Sequence, residues 1–322
     1  MFNDHLIRVQ LKPGLDPEFA RLCMSLPNAR QVIEAAASTS AGQFTINQQL
    51  LDGIEIPTIS IAEQRAVSFS VKAQLAAVAQ ARQAAQAQAK EANALIDAIY
   101  RQAFEQVVPV GVPPEFPDAP AGWSWRKLNE VARLESGHTP SRGRPDWWGG
   151  DVSWISLTEI RALDGRAVEA TQIRTNALGI ANSSARILPS GTVCFSRTAS
   201  VGFVAMMAKP MATSQDFANW VCSDELEPEF LMHALIRSRA ELRALATGAT
   251  HKTIYMPLLN AFHVCVPDPD TQRAIVRKLK ARLVQAEALR EAAKQSLIEI
   301  EQLPARLLAQ AFDTLEQEPY HD

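Results

Sequence analysis

Seven side chains of this sequence carry the donors and acceptors that bind phosphate groups and the edges of nucleotide bases. They are Thr139, Ser141, Arg142, Arg144, Arg197, Gln215 and Lys252. Hydroxyl and ammonium groups bind phosphate oxygens, an arginine can donate to both acceptors of guanine, and a glutamine can pair with adenine. A solvated turn, a local hydrogen bond or a surface charge explains each residue equally well. The residue types are therefore compatible with a DNA-contacting surface and with a purely structural part, and they do not say which side chain reads a base.

The charge of the chain supports such a surface only locally. The 322 residues have a net charge of −3, which is not typical of a nucleic-acid binder. Between Trp123 and Lys209, however, 11 residues are basic and 7 are acidic, whereas residues 224–229 are rich in acids. A basic face on an otherwise neutral protein is what a DNA contact requires.

No pattern in the sequence indicates catalysis or a metal site. It has no phosphate loop, no His-Glu-x-x-His pair and no Gly-x-Ser-x-Gly turn. The four cysteines, Cys23, Cys194, Cys222 and Cys265, lack the spacing of a zinc site. We therefore expect no catalytic residues and no bound metal. The absence of a long apolar run and of a signal-peptide pattern predicts a cytoplasmic protein with no membrane partner.

The elements that must position these side chains are repeated along the chain. Segment 45–51 returns as 253–259, and segment 64–67 returns as 272–275, both 208 residues later. Further upstream, the shift becomes 211 residues. One register held across so long a stretch indicates two copies of one unit. Each copy contains a strand candidate, 54–56 in the first and 262–266 in the second, before a long helical stretch.

Both helical stretches have apolar residues at alternating spacings of three and four, the heptad pattern of a coiled coil. The predicted helix-helix seam consists of Val71, Leu75, Val78, Ile96, Ile99, Leu279, Leu283, Leu297, Ile300 and Leu307. An arginine, Arg82 or Arg290, replaces one apolar position in each stretch. Two independent amphipathic helices, each packed on its own domain, are the alternative.

A globular region separates the two helical stretches. Residues 109–121 are rich in proline and form a connector that is incompatible with a helix. The region that follows contains most of the tryptophans and short apolar strand candidates at 152–155 and 192–195. The sequence therefore predicts the α+β fold class, with a strand-rich globular domain between long helices.

Several motifs of this globular region resemble, in order and spacing, the target-recognition domain of type I restriction-modification specificity (S) subunits. They are Gly122-Trp123, Ser136 to Arg142, Trp147 to Gly150, Leu188 to Val193, Val201-Gly202, Thr213 to Phe217 and Thr250 to Ile254. The resemblance covers essentially the whole chain, and the linked motifs make it specific although each is weak alone. Thr271-Gln272 departs from the family's usual Glu-Gln, which concerns the start of the second helix.

The resemblance implies a non-catalytic subunit that directs other subunits to a split DNA site. Its recognition domains would bind double-stranded DNA and be held apart by two antiparallel coiled-coil helices. Methyltransferase (M) subunits would dock on these helices, and a nuclease-translocase (R) subunit would join them. S-adenosylmethionine, ATP and Mg²⁺ are then expected on those partner subunits and not on this chain.

These expectations divide the chain into six segments. We expect 1–62 to be the C-terminal remnant of a first recognition domain, 63–108 the first long helix, 109–121 the connector, 122–268 a complete second recognition domain, 269–317 the second long helix and 318–322 a tail. Counted back through the repeat, the first domain is expected to lack roughly ninety residues. A second S chain is then an expected partner; a mis-assigned start codon or a disrupted gene is the alternative.

Two other functions remain open at this point. The chain is alternatively a non-functional or regulatory truncated S fragment, or a coiled-coil scaffold without DNA recognition. A scaffold would not need a tryptophan-containing, glycine-punctuated domain between its helices, which counts against it. Salt-dependent DNA affinity distinguishes a recognition subunit from a scaffold.

Overall fold

The computed structural model describes residues 7–35, 38–40, 43–45, 54–114, 116–248 and 250–317. Most of the repeated segment 45–51 and the tail 318–322 lie outside these residues. The helices are α1 Pro17–Met24, α2 Pro27–Ala35, α3 Ile61–Ala103, α4 Leu128–Val131, α5 Ile160–Leu163, α6 Ala177–Ala181, α7 Pro228–Arg237, α8 Arg239–Ala244, α9 Met256–Leu259 and α10 Pro269–Gln317. The strands are β1 Ser38–Ser40, β2 Gln43–Thr45, β3 Val110–Gly111, β4 Ser124–Lys127, β5 Ala132–Ser136, β6 Trp148–Ile155, β7 Ala167–Val168, β8 Arg174–Thr175, β9 Val193–Ser196, β10 Val204–Met207, β11 Ala212–Thr213, β12 Phe217–Cys222 and β13 His263–Val266.

The residues group into two units by their contacts. Unit 1 comprises Met1–Asn93 and Ala288–Asp322, and unit 2 comprises Ala94–Glu287. Each of the long helices, α3 and α10, has one part in each unit. No helix of the described residues is both long and apolar enough to cross a lipid bilayer.

The first long helix, α3, has a capping box at its start and left-handed residues just after its end. The Ser60 hydroxyl accepts from the Glu63 amide at 3.3 Å, and the Glu63 carboxylate accepts from the Ser60 amide at 2.8 Å. Hydrogen bonding with Ser60 holds the pKa of Glu63 below its ordinary value. Glu105 and Gln106 have φ angles of 47° and 68°, which an α-helix does not tolerate. The predicted span 63–108 is therefore corrected to Ile61–Ala103.

One further expectation needs correction. Residues 54–56 form no strand; they lead towards α3, and Ile56 packs its side chain against the core of unit 1. The described residues of the connector 109–121 contain no helix, and the short strand β3 within it pairs antiparallel with β13. The other strand candidates, 152–155, 192–195 and 262–266, coincide with all or part of β6, β9 and β13.

In unit 1, the start of α3 packs against the end of α10. Val71 of α3 shares a buried cluster with Leu308 and Phe312 of α10, and the rings of Phe19 and Phe312 lie 5.3 Å apart. Arg82, which interrupts the heptad pattern, lies 3.8 Å from Glu301. Both side chains of that ion pair are more than half exposed, so it contributes little stability.

In unit 2, the same two helices pack through their other ends. The end of α3 contacts the start of α10. Ile99 lies in one core cluster with Leu279, Leu283 and Ala286. The two helices are therefore antiparallel, as predicted. Of the predicted seam residues, Val71, Ile99, Leu279 and Leu283 are buried, and Leu75, Val78, Ile96, Leu297, Ile300 and Leu307 are half-buried.

The two copies of the repeat make equivalent hydrogen bonds at their helix starts. In unit 1, Gln64 accepts from the Asp16 amide at 2.7 Å and donates to the carbonyls of Gly14 and Ile59 at 3.0 and 2.9 Å. In unit 2, buried Gln272 accepts from the Glu227 amide at 2.9 Å and donates to two carbonyls, those of Glu225 and Pro267, at 3.0 and 2.9 Å. Gln64 thus ties α3 to the segment before α1, and Gln272 ties α10 to the segment before α7.

Replacing Gln272 with leucine is expected to lower the free energy of unfolding by about 2–3 kcal/mol. Leucine has a similar size but leaves one backbone amide and two backbone carbonyls without their partner. Urea denaturation measures the change, with Gln285→Leu at an exposed position of α10 as the control. Equal unfolding free energies for the two variants would show that the Gln272 bonds do not stabilise unit 2.

Unit 2 is built on a five-stranded sheet in the order β5-β12-β9-β10-β7. Its neighbours are antiparallel, except for the parallel pair β10 and β7. Two three-stranded sheets, β11-β6-β8 and β3-β13-β4, complete the unit. The fully buried rings of Phe195, Trp220 and Phe262 pack together, with centroids 6.1–6.5 Å apart. This core fixes the strand ends from which the candidate side chains emerge.

Candidate nucleic-acid interface

Three loops that carry candidate side chains leave the same end of the five-stranded sheet. Strand β5 ends at Ser136, which is paired with Ala218 near the start of β12. Strand β9 ends at Ser196, which is paired with Phe217. The loops that follow β5 and β9 and the turn that precedes β12 therefore begin next to one another. The antiparallel register brings together residues that are far apart in the sequence.

The loop after β5 is fixed by contacts with the neighbouring strands. The amide of His138 donates to the Thr213 carbonyl at 2.9 Å, and the Trp154 indole donates to the His138 carbonyl at 3.1 Å. The Trp148 indole donates to the Ser141 carbonyl at 3.1 Å. A Cβ atom at Gly137 would overlap Thr213 and the carbonyl oxygen of Ser214, so only glycine fits this approach. The loop is held at several points along its length.

Arg142, at the exposed part of this loop, rests on two indole rings. Its guanidinium carbon lies 4.0 Å from the ring centre of Trp148 and 5.0 Å from that of Trp154, and the two rings meet edge to face. Among the described residues, no carboxylate pairs with Arg142. Stacking occupies the faces of the guanidinium and leaves the N–H donors in its plane available. This geometry presents a positive, pre-oriented donor group to solvent.

Arg144, from the same loop, is placed differently. Its guanidinium makes two hydrogen bonds with the Asp146 carboxylate, at 3.0 and 2.8 Å, and lies 5.0 Å from the Trp147 ring centre. The bonds from Arg144 hold the pKa of Asp146 below its ordinary value. The Asp146 carboxylate neutralises the charge of Arg144 within the turn, which favours a structural role for Arg144.

Gln215 connects the loop after β5 with the loop after β9. The Thr139 hydroxyl donates to the Gln215 side-chain oxygen. The Arg197 guanidinium donates to the Gln215 carbonyl at 2.8 Å, and the Arg197 amide donates to the Asp216 carbonyl at 2.8 Å. Arg197 is half-buried, so it braces the turn, whereas the side chain of Gln215 is exposed. Residues from three loops thus meet at one turn.

Lys252 belongs to a fourth segment, which contacts the loop after β9. Its carbonyl accepts from the Ala199 amide at 2.9 Å, and the Ile254 amide donates to the Arg197 carbonyl at 2.9 Å. The Lys252 side chain is exposed, and no ion pair involves it among the described residues. The structure therefore brings Thr139, Arg197, Gln215 and Lys252 into one set of contacts. Ser141 is exposed on the same loop as Arg142.

The sequence did not single out the residues that support this surface. Trp154 lies in β6 and is 2% exposed; its indole donates to the loop backbone, and Arg142 rests on its ring. Asn219, fully buried on β12, donates to the Thr213 hydroxyl at 2.9 Å. Trp147 and Trp148, part of one of the motifs that resemble the family, are half-buried beneath arginines. A buried polar residue in an apolar strand, such as Asn219, is the one signal that could have been read beforehand.

A family model described as the type I restriction modification DNA specificity domain matches residues 120–300, more than half of the chain. The MjaIX specificity subunit of Methanocaldococcus jannaschii is 25% identical over 162 residues, which are 50% of this chain and 38% of that protein. The HindI specificity subunit of Haemophilus influenzae is 28% identical over 209 residues, 63% of this chain and 43% of that protein. The matched region thus spans less than half the length of these relatives.

Solved structures with the same fold include two from type I systems. A chain from a study of complex assembly and conformational transition of the type I R-M system has a TM-score of 0.71 at 20% identity, over 93% of this chain and 71% of that one. The HsdS subunit of Thermoanaerobacter tengcongensis has a TM-score of 0.51 at 20% identity, over 93% of this chain and 70% of that one. The arrangement of strand-rich domain and long helices is therefore shared with these structures.

Proposed function

The chain belongs to the type I restriction-modification DNA specificity family, and from that premise we propose that unit 2 binds double-stranded DNA and recognises part of a split target sequence. The chain would direct M subunits, and through them an R subunit, to that target. In this proposal it makes and breaks no covalent bond. S-adenosylmethionine, ATP and Mg²⁺ bind to the partner subunits.

The observation that carries the proposal is the meeting of Thr139, Arg197, Gln215 and Lys252 at one end of the sheet, beside the loop of Arg142. Hydroxyl, amide and basic groups on a rigid support suit both phosphate positioning and base reading. Among the described residues, three of the four basic candidates have no carboxylate partner, since only Arg144 is paired. The charges of exposed Arg142 and Lys252 are available to DNA phosphates, whereas half-buried Arg197 braces the turn.

Within this surface we assign base reading to Arg142. Its guanidinium is pre-oriented by Trp148 and Trp154, so little side-chain entropy is lost when it binds. An arginine held in this way can donate two parallel hydrogen bonds to O6 and N7 of guanine. Thr139 and Lys252 are assigned to the phosphate backbone, which sets the position of the chain on the duplex.

The test is DNA binding by the complex of this chain with its M subunits, measured on a pool of random duplexes. The wild-type complex is expected to select one split sequence. Arg142→Ala and Arg142→Lys are both expected to weaken target binding by about 10- to 100-fold and to relax selection at one base pair. Lysine keeps the charge but loses the planar fork, so it separates base reading from a simple phosphate contact.

Lys209→Ala, at an exposed position after β10, is the matched control and should keep the wild-type affinity. Because β10 is antiparallel to β9, Lys209 lies at the opposite end of the sheet from the candidate interface. A wild-type complex that binds every duplex equally, with no dependence on salt, would refute DNA recognition by this chain. Methyl transfer from labelled S-adenosylmethionine to DNA by the isolated chain would refute the assignment of catalysis to the partners.

A further inference from the structure

Three arginines surround one aromatic ring on the loop between β9 and β10. The guanidinium carbons of Arg161, Arg239 and Arg243 lie 5.5, 5.5 and 5.2 Å from the ring centre of Phe203. Arg161 belongs to α5, whereas Arg239 and Arg243 are one turn apart on α8. We call these three residues the arginine cluster. None of them was among the residues selected from the sequence.

The arginine cluster carries more positive charge than its surroundings balance. Asp164 accepts two hydrogen bonds from Arg239, both at 2.7 Å, and compensates that residue. In the described part of the chain, neither Arg161 nor Arg243 has a carboxylate within ion-pair distance. Partial burial together with the neighbouring charges of Arg239 and Arg161 lowers the pKa of Arg243. Two exposed guanidinium groups thus repel each other, and an anion between them would relieve the repulsion.

The fold holds these charges together through a tight glycine turn. Gly202 has a φ angle of 93°, and a Cβ atom there would lie 3.0 Å from Arg243 Nε and 3.1 Å from Arg239 Cγ. Arg243 Nε donates to the Val201 carbonyl at 2.8 Å, which fixes the direction of its guanidinium. The cluster is therefore positioned by the backbone and is not a chance meeting of mobile side chains.

The arginine cluster is continuous with the surface proposed to bind DNA. The loop that carries Phe203 begins at Arg197 and contains Ala199, which bonds to the Lys252 carbonyl. Six residues of chain span at most about 20 Å. One turn of a DNA duplex is about 34 Å long, so a single duplex can reach both places.

We propose that the arginine cluster is a site for DNA backbone phosphate, contacted mainly through Arg161 and Arg243, which positions the duplex against the loops that read the bases. This proposal rests on the proposed function of unit 2. Arginine is suited to the task, because its planar fork of donors matches the oxygens of a phosphate. Arg239 is paired with Asp164 and is assigned no phosphate contact.

The test is the salt dependence of DNA affinity for the complex with M subunits. Each phosphate contact contributes about −0.9 to the slope of log affinity against log salt concentration. Arg161→Gln and Arg243→Gln are each expected to reduce the slope by about 1, and the double variant by about 2. Target and non-target duplexes should weaken by the same factor, because phosphate contacts carry no sequence information.

Two controls separate a lost charge from a disturbed loop. Lys127→Gln with Lys209→Gln removes two exposed charges of unit 2, at the end of β4 and after β10, and should leave the slope unchanged. Arg161→Lys with Arg243→Lys keeps both charges, so it should restore most of the slope although the bond to Val201 is lost. A lysine double variant as weak as the glutamine one would indicate loop collapse and overturn the proposal.

The failure of this inference is distinguishable from failure of the proposed function. If the wild-type complex binds DNA selectively but the Arg161→Gln/Arg243→Gln variant keeps the wild-type slope, the arginine cluster does not contact phosphate. If the cluster holds a free anion instead, inorganic phosphate at constant ionic strength will raise the melting temperature of the chain while the DNA slope stays unchanged in the double variant. A wild-type complex without salt-dependent affinity refutes the proposed function itself.

Discussion

Replacing Phe104 with alanine is expected to lower the free energy of unfolding of unit 2 by about 3–5 kcal/mol. The ring is fully buried where α3 ends, 5.3 Å from the ring of Phe230 and 6.4 Å from that of Trp123. Alanine would remove the ring and leave a cavity between the end of α3 and the domain core. Urea denaturation followed by tryptophan fluorescence measures the loss, because Trp123 lies beside the substitution.

The same helix supplies the control. Phe69 of α3 is 79% exposed, so Phe69→Ala should change the free energy of unfolding by less than about 0.5 kcal/mol. If Phe104→Ala were as mild as Phe69→Ala, the end of α3 would not be docked on the domain core. A large loss for both would indicate that the helix, and not its contact with the domain, is the sensitive element.

Phe104 also shows what the repeat means structurally. Its counterpart 208 residues later is Phe312, and Phe230 corresponds to Phe19 at the shift of 211. Phe19 meets Phe312 and Phe104 meets Phe230, in both cases at 5.3 Å. Each long helix therefore ends against the short helix that belongs to the other copy. The chain thus contains two equivalent contacts, each between the long helix of one copy and a short helix of the other.

The sequence predicted the helix pair well because a heptad pattern is local. Alternating spacings of three and four identify the face of a helix without knowledge of the partner. The same pattern missed Phe104 and Phe312, which pack against the short helices at the helix ends. The predicted end of α3 lay too far along the chain, because the residue types of Glu105 and Gln106 do not indicate a left-handed backbone.

The candidate interface was predictable only in part, because its contacts are not local. Thr139 and Gln215 are 76 residues apart and meet through the register of β5, β9 and β12. Residue type alone could select polar loop residues, yet it could not separate Arg142, which is free, from Arg144, which is neutralised by Asp146. The arginine cluster escaped notice for the same reason, since α5 and α8 come together only in the folded domain.

Replacing Gly137 with alanine is expected to reduce target affinity to the level of non-specific DNA, a loss of about 1,000-fold. The added methyl group would overlap Thr213 and the Ser214 carbonyl oxygen, so the backbone of the loop must move away from β11. Because Thr139, Ser141 and Arg142 follow on this loop, one displacement moves all three from their places. Overpacking of this kind costs about 1–3 kcal/mol, so the variant should still fold.

The matched substitution is Gly111→Ala, where the new Cβ atom would lie 3.6 Å from Phe116 in ordinary contact. Gly111 is distant in sequence from the loops of the interface, and we expect this variant to keep both melting temperature and target affinity. Binding is measured on target and unrelated duplexes at one salt concentration, because affinity varies steeply with salt. A Gly137→Ala variant that still selects the target would mean that the loop after β5 does not read DNA. Since Arg142 is the only candidate that is both pre-oriented on aromatic rings and free of a carboxylate among the described residues, base reading would then have to be reassigned to the turn of Gln215.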